Sequence, residues 1–180
     1  MNKYGFIFFL AVIFLLSGCQ KDGSNNDLSK AQENVSAIAS SFNIPTLDGY
    51  EVSSIQHKFP PRDKQGNFIG DNHEVLITYT KNKGKLGKLS DEQKSNEERE
   101  ILYGPYQGDT FIEITYSNIQ TNLDKADIIE INGEQVQKLK NDKYTFLVFN
   151  ITKGSITMNF NDLDEDKIQS IAQQVVNDNK

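Results

Sequence analysis

Apolar positions change rhythm several times along this 180-residue chain. After Lys3 they run unbroken from Phe6 to Leu16, then give way to Ser17, Gly18 and Cys19. The run is too short to span a bilayer, which takes about 20 apolar residues. A basic start, a short greasy middle and small residues at its end predict a secretory signal peptide over residues 1–18. The stretch QKDGSNNDLSK, Gln20 to Lys30, is polar and has nothing to bury, so residues 19–26 read as a flexible tether. A single α+β domain is expected over 27–180.

Within that domain the first rhythm is helical. Leu28, Ala31, Val35, Ile38 and Phe42, with Ala39 beside them, recur every three to four residues and make one greasy stripe, with Asp27 or Ser29 as its cap. Pro45 sets its outer limit, because the residue before a proline is pushed out of the helical region. From residue 50 the period becomes two. YEVSSIQHKF is a first strand, closed by Pro60 and Pro61. In HEVLITYT, Val75, Ile77 and Tyr79 alternate with Glu74, Leu76 and Thr78, and in TFIEITYSN, Ile112, Ile114 and Tyr116 alternate with Phe111, Glu113 and Thr115.

A meander follows. Asn132-Gly133 joins two strand-like arms, and both residues tolerate the positive φ that a two-residue hairpin turn demands. Asn141–Lys143 and Thr152–Ser155 separate the next two runs, YTFLVFNI and SITMNF. YTFLVFNI is apolar on both faces and reads as a central strand covered on both sides. Ile168, Ile171, Ala172, Val175 and Val176 then form the stripe of a closing helix, with Asp162 and Glu165 spaced as a capping box. The expected architecture is α+β, an antiparallel sheet of six or seven strands with an N-terminal and a C-terminal helix against it.

Cys19 is the chain's one cysteine. Leu16–Cys19, LSGC, resembles the lipobox of bacterial lipoproteins. That resemblance implies a diacylglyceryl group on the Cys19 thiol, cleavage before it and an acyl chain (palmitate-like) on the new amino terminus. The expected partner is a lipid bilayer, at the extracytoplasmic face of the cell membrane. One acyl chain binds a bilayer only marginally, at roughly 10⁴ M⁻¹, and further chains make the anchor stable. A lone cysteine leaves no disulfide within the monomer, so stability rests on packing.

Charge removes one function class. Lys and Arg number 19 against 25 Asp and Glu; without Lys3 the balance is 18 against 25, or minus 7. Such a surface repels nucleic acid. Gln20 after the cysteine, with a Lys- and Asn-rich, Arg-poor composition, resembles lipoproteins of Gram-positive bacteria, and that resemblance implies a Gram-positive source.

Catalytic chemistry has few carriers. His57 and His73 are the two histidines, and neither sits in a nucleophile-elbow pattern. No cofactor is expected. Asp162, Asp164 and Asp166 have the spacing that opens a calcium loop, but Lys167 and Gln173 stand where Gly and Glu belong, and helix capping explains them better. Asp63, Gln65, Asn67, Asp71 and Glu74 offer oxygens at positions one, three, five, nine and twelve, with Phe68 at the glycine position. They form the one candidate metal loop.

Two other segments qualify as contact surfaces. Lys81, Lys83, Lys85 and Lys88 form a basic loop followed by Glu97, Glu98 and Glu100, suited to a membrane-proximal position. Tyr103, Pro105 and Tyr106 form an aromatic loop of the kind proteins use to bind partners.

The order FNIPTLDGYEV, GDTFIEITYSN, INGEQVQKL, YTFLVFNITKGSITMNF and DEDKIQSIAQQVV, over about residues 42–176, resembles an uncharacterised extracytoplasmic domain of Firmicutes lipoproteins and anti-sigma-like membrane proteins. The tryptophan usual before the last strand pair is missing, and the Lys-rich insertion is extra. The resemblance implies an extracytoplasmic α+β domain with no catalytic residues to carry over. The leading expectation is a non-enzymatic module that binds a protein or envelope component. A carrier or sensor of a small apolar ligand is the alternative, and a metal-assisted hydrolase the third.

Overall fold

The computed structural model describes residues 27–96 and 98–180. Residues 1–26, expected to hold a signal peptide and a tether around Cys19, lie outside the described residues. Helix α1 spans Leu28–Ile38, capped by Asp27, whose carboxylate accepts from the backbone N–H groups of Ser29 and Lys30. It stops well before Pro45, and Phe42, beyond its end, stacks on Tyr116 at 5.3 Å. Helix α3 spans Glu165–Asn179. Its cap is Asp164, not Asp162, which takes a left-handed φ of 52° and so turns the chain into the helix from outside.

Eight strands form one antiparallel sheet: β1 Glu51–Lys58, β2 Glu74–Thr80, β3 Arg99–Tyr103, β4 Ile112–Ser117, β5 Asp127–Ile131, β6 Glu134–Lys140, β7 Tyr144–Ile151 and β8 Gly154–Asn161. A five-residue helix α2, Asp91–Ser95, lies between β2 and β3. The strand order is β3-β1-β2-β4-β8-β7-β6-β5. The expected six or seven strands become eight because β3 hides in a charged stretch. Its Arg99 and Glu100 are exposed at the sheet edge, so no alternation marks it.

The order divides the sheet into two halves. β3-β1-β2-β4 and the meander β5 to β8 meet at one seam, β4 against β8, where Ile112 pairs with Phe160, Ile114 with Met158 and Tyr116 with Ile156. Those six side chains are buried beneath the helices, together with Ile55, Val75, Ile77, Tyr79, Leu147 and Phe149. Ala31 and Val35 of α1, and Ile168, Ile171, Ala172, Val175 and Val176 of α3, fill the same layer. The expected strand alternations and the α3 stripe are therefore core faces, and of the expected α1 stripe Ala31, Val35, Ala39 and Phe42 are buried while Leu28 is 40% exposed. Asn132 and Gly133, at φ 52° and 86°, make the expected tight turn between β5 and β6.

The opposite sheet face is covered in part by the chain itself. Between β4 and β5, residues 119–123 are pinned to it: Asn150 Nδ2 and Gln137 Nε2 both donate to the Thr121 carbonyl, and Ser155 Oγ donates to that of Ile119. Val148, opposite Gln137 on this face, is 0% exposed, as expected of a strand apolar on both sides, whereas Phe146 is half-buried.

Gly154 opens β8 at φ 136°, and a Cβ there would lie 2.0 Å from the Ser117 carbonyl oxygen. Gly154→Ala is therefore expected to push the two strands of the seam apart and cost on the order of 2 kcal/mol or more. Urea unfolding checks this: an unchanged midpoint would show that the seam tolerates the side chain.

Candidate functional site

One end of the sheet gathers the segments that the sequence offers as contact surfaces. β1 begins there, β2 and β3 end there, and α1 and α3 both start there. The lysine loop leaves β2 and the aromatic loop leaves β3, and the two pair as a short ribbon. Gly84 N donates to the Gln107 carbonyl at 2.7 Å, Gln107 N to that of Lys85 at 3.0 Å, and Gly87 N to that of Pro105 at 2.7 Å. Leu86 bridges to Tyr106, whose own N–H bonds the Ser53 carbonyl of β1 at 2.8 Å.

The close approach to Ser53 requires Gly104. At φ 74°, any Cβ on it would stand 2.2 Å from the Ser53 oxygen. The Gly104–Pro105 peptide is cis.

Lysines and rings interleave at this end. Lys83 Nζ donates to Tyr103 Oη at 3.2 Å, lies 5.0 Å from the Tyr106 ring centre and sits 3.5 Å from a Glu51 carboxylate oxygen. Burial works to lower the Lys83 ammonium pKa, but Tyr103 and Glu51 outweigh it and raise it. Lys81 Nζ lies 5.0 Å from the Phe111 ring centre and 5.7 Å from that of Tyr50, which also has Lys167 Nζ at 5.5 Å. Each distance is within the roughly 6 Å over which a cation feels the ring quadrupole. Lys85 and Lys88 are exposed, and between them Leu86 is 45% exposed.

Tyr103 is not on a loop. It is the last residue of β3, 3% exposed, because β3 pairs with β1 and turns its ring inward. Pro105 and Tyr106 are half-buried, and Tyr106 lies against Tyr103 at 5.2 Å. Tyr50, Phe111 and Lys167 join the cluster without a signal in the sequence, since Tyr50 and Phe111 precede different strands, Lys167 lies in the first turn of α3, and only the tertiary fold brings them together.

Beside the ribbon a cleft of about 510 Å³ is lined by Asp48, Tyr50, Lys81, Asp164, Asp166 and Lys167. Its rim carries both charge signs. The Tyr50 hydroxyl is buried without a hydrogen-bond partner, and burial, reinforced by Asp164, raises its pKa.

The candidate metal loop serves a different purpose. Asp63 accepts from the backbone N–H groups of Gln65 and Asn67, each at 2.9 Å, and from the Asn67 amide at 3.2 Å. The Asn67 backbone bond is the main cause of its lowered pKa. Glu74 forms an ion pair with Lys58 at 3.0 Å, and Asp71 is engaged through its carbonyl by Asn118. Among the described residues no three His, Cys, Asp or Glu side chains converge as metal donors. Asp164, from the other acidic run, accepts from Lys167 N at 2.8 Å as the helix cap.

The two histidines meet at the opposite end of the sheet. His57, on the core face of β1, is 5% exposed, and its Nε2 lies 3.1 Å from His73 Nδ1 at the start of β2. Phe59 packs on the His57 ring at 4.3 Å, and Phe68 stacks on Phe59 at 6.0 Å. The His73 N–H donates to Asn118 Oδ1 at 2.8 Å, which fixes the segment entering β2.

Compared with known proteins, the chain matches no family model, no curated protein and no solved structure.

Burial, with His73 adding, lowers the His57 pKa from 6.5 to about 4. The unfolded chain therefore binds more protons than the folded one between those values, and stability falls as pH drops through the window. The expected slope approaches about 1.4 kcal/mol per pH unit. Urea unfolding between pH 6.5 and 5, above the range in which the carboxylates dominate, should show this slope in the wild type and a flatter one in His57→Gln. Equal slopes would remove His57 as its source.

Proposed function

We propose that this chain is a lipid-anchored, extracytoplasmic binding module, held at the membrane through acylated Cys19 and making its contact with a protein or envelope component through the lysine and tyrosine end of the sheet. The observation that carries this reading is the pairing of residues 84–87 with 105–107, which joins the basic and the aromatic segments into one surface. The ammonium groups of Lys81 and Lys83 lie over ring faces that draw them in, and aromatic rings at a surface supply rigid contact area.

The position of α1 supports a membrane-proximal place for that end. Leu28, 40% exposed, lines a cleft with Glu51, Tyr50 and Lys83, so the described part of the chain starts beside the ribbon. Eight residues, Cys19 to Asn26, reach at most about 26–29 Å. Were this end to face an anionic membrane, each lysine touching the surface would contribute about 1 kcal/mol. No helix among the described residues is long and apolar enough to cross a membrane.

A carrier of apolar ligands calls for space between sheet and helices. That layer is a continuous cluster of buried side chains, so the binding module is the better supported reading.

Two measurements test the proposal. In cells, the full chain should partition into the detergent phase and Cys19→Ala into the aqueous phase; identical partitioning would remove the anchor. A photo-crosslinking residue at Leu86 should give a discrete adduct that the same residue at Ile128, on the β5 edge, does not. Equal labelling at both positions would remove the lysine and tyrosine end as the contact.

A further inference from the structure

The histidine pair lies far from the lysine and tyrosine end, and nothing in the binding reading uses it. Its two members come from different strands: His57 is in β1, paired with Val75, and His73 immediately precedes β2. The β1 to β2 connection, residues 59–73, returns the chain so that the ring nitrogens face each other at 3.1 Å, with ring centres 5.2 Å apart.

That separation suits a shared cation. A metal that holds two imidazole nitrogens at about 2.0–2.1 Å places them about 2.9 Å apart at a right angle and about 3.4 Å apart at the tetrahedral angle. The observed distance falls between the two. Without a metal, two neutral imidazoles at this distance share one proton in a hydrogen bond. A cation takes its place once the donating ring shifts its proton to its other nitrogen, so binding requires no net loss of a proton from either neutral ring.

We propose that His57 Nε2 and His73 Nδ1 form a two-nitrogen chelate for a divalent first-row transition metal, copper(II) foremost, at the end of the sheet away from the tether. Imidazole nitrogens suit copper, nickel and zinc, and among these copper(II) binds a given nitrogen site most tightly. The surroundings favour a defined geometry. His57 is held in a ladder between β2 and β3 and backed by Phe59, while half-buried His73 supplies the solvent-facing side. The remaining coordination positions go to water, since no third His, Cys, Asp or Glu joins the pair among the described residues.

The test is a copper(II) titration of the full chain in detergent, on a Cys19→Ser background so that no thiol competes. The expected result is one copper per chain, an electron paramagnetic resonance signal with hyperfine splitting from two nitrogens, and zinc(II) binding at the same site with lower affinity. His57→Gln and His73→Gln should each weaken copper binding about tenfold or more and remove one nitrogen from the spectrum. His73 is half-buried, so its variant remains informative if the loss of buried His57 compromises folding; circular dichroism establishes which variants are folded. Absence of saturable binding, or copper binding that survives both substitutions, would overturn the proposal and leave the pair as a hydrogen bond that closes the β1 to β2 connection.

Discussion

The β4 to β8 seam is the contact on which the rest of this molecule depends. The two half-sheets on either side of it form from strands near in sequence, but β4 and β8 are separated by the entire meander. Six residue pairs along the seam bring Ile112, Ile114, Tyr116, Ile156, Met158 and Phe160 into one apolar strip. Full burial of such a side chain contributes roughly 1.5–3 kcal/mol, enough to offset the entropy of closing so long a loop. The helices complete the layer. Phe42 stacks on Tyr116 of the seam, and Asn43 is tied to the end of α3 by Asn179 Oδ1 at 2.7 Å.

A sheet zipped in this way has two chemically different ends. At one, the segments flanking β1, β2, β3 and β4 and the start of α3 set lysines over tyrosine and phenylalanine rings. At the other, the returns into β2 and β8 leave a histidine pair and a set of side-chain to backbone hydrogen bonds around Asn118. Both charge signs meet in the molecule, and several of its carboxylates are already engaged. Glu51 pairs with Lys83, Glu74 with Lys58, and Glu165 with Lys138 and Lys140, while Asp164 caps α3.

The remaining charges show why acidic clusters are poor guides to metal sites. Asp63 has the place in sequence of a first calcium ligand, yet its oxygens take three hydrogen bonds from its own turn. Asp164 behaves likewise at the helix start. Short polar side chains beside free backbone N–H groups satisfy those groups first, and this local use precedes any ligand.

By itself the sequence determined the local elements: α1, with its cap narrowed to Asp27 or Ser29, the alternating faces of β2 and β4, the Asn132-Gly133 turn and the stripe of α3. Each rests on periodicity or on backbone preferences within a few residues. Only the tertiary structure decided the strand order, the inward turn of Tyr103 in β3, the joining of the lysine and tyrosine segments, and the meeting of His57 with His73. β3 carries charge at a sheet edge and so lacks the alternation that marks a half-buried strand. The two candidate contact segments lie about twenty residues apart with no common pattern, and become one surface because β3 pairs with β1 rather than with its predecessor β2. Pairing between distant strands is chosen by how well their buried faces pack together, a property of the whole core that no single stretch of residues carries.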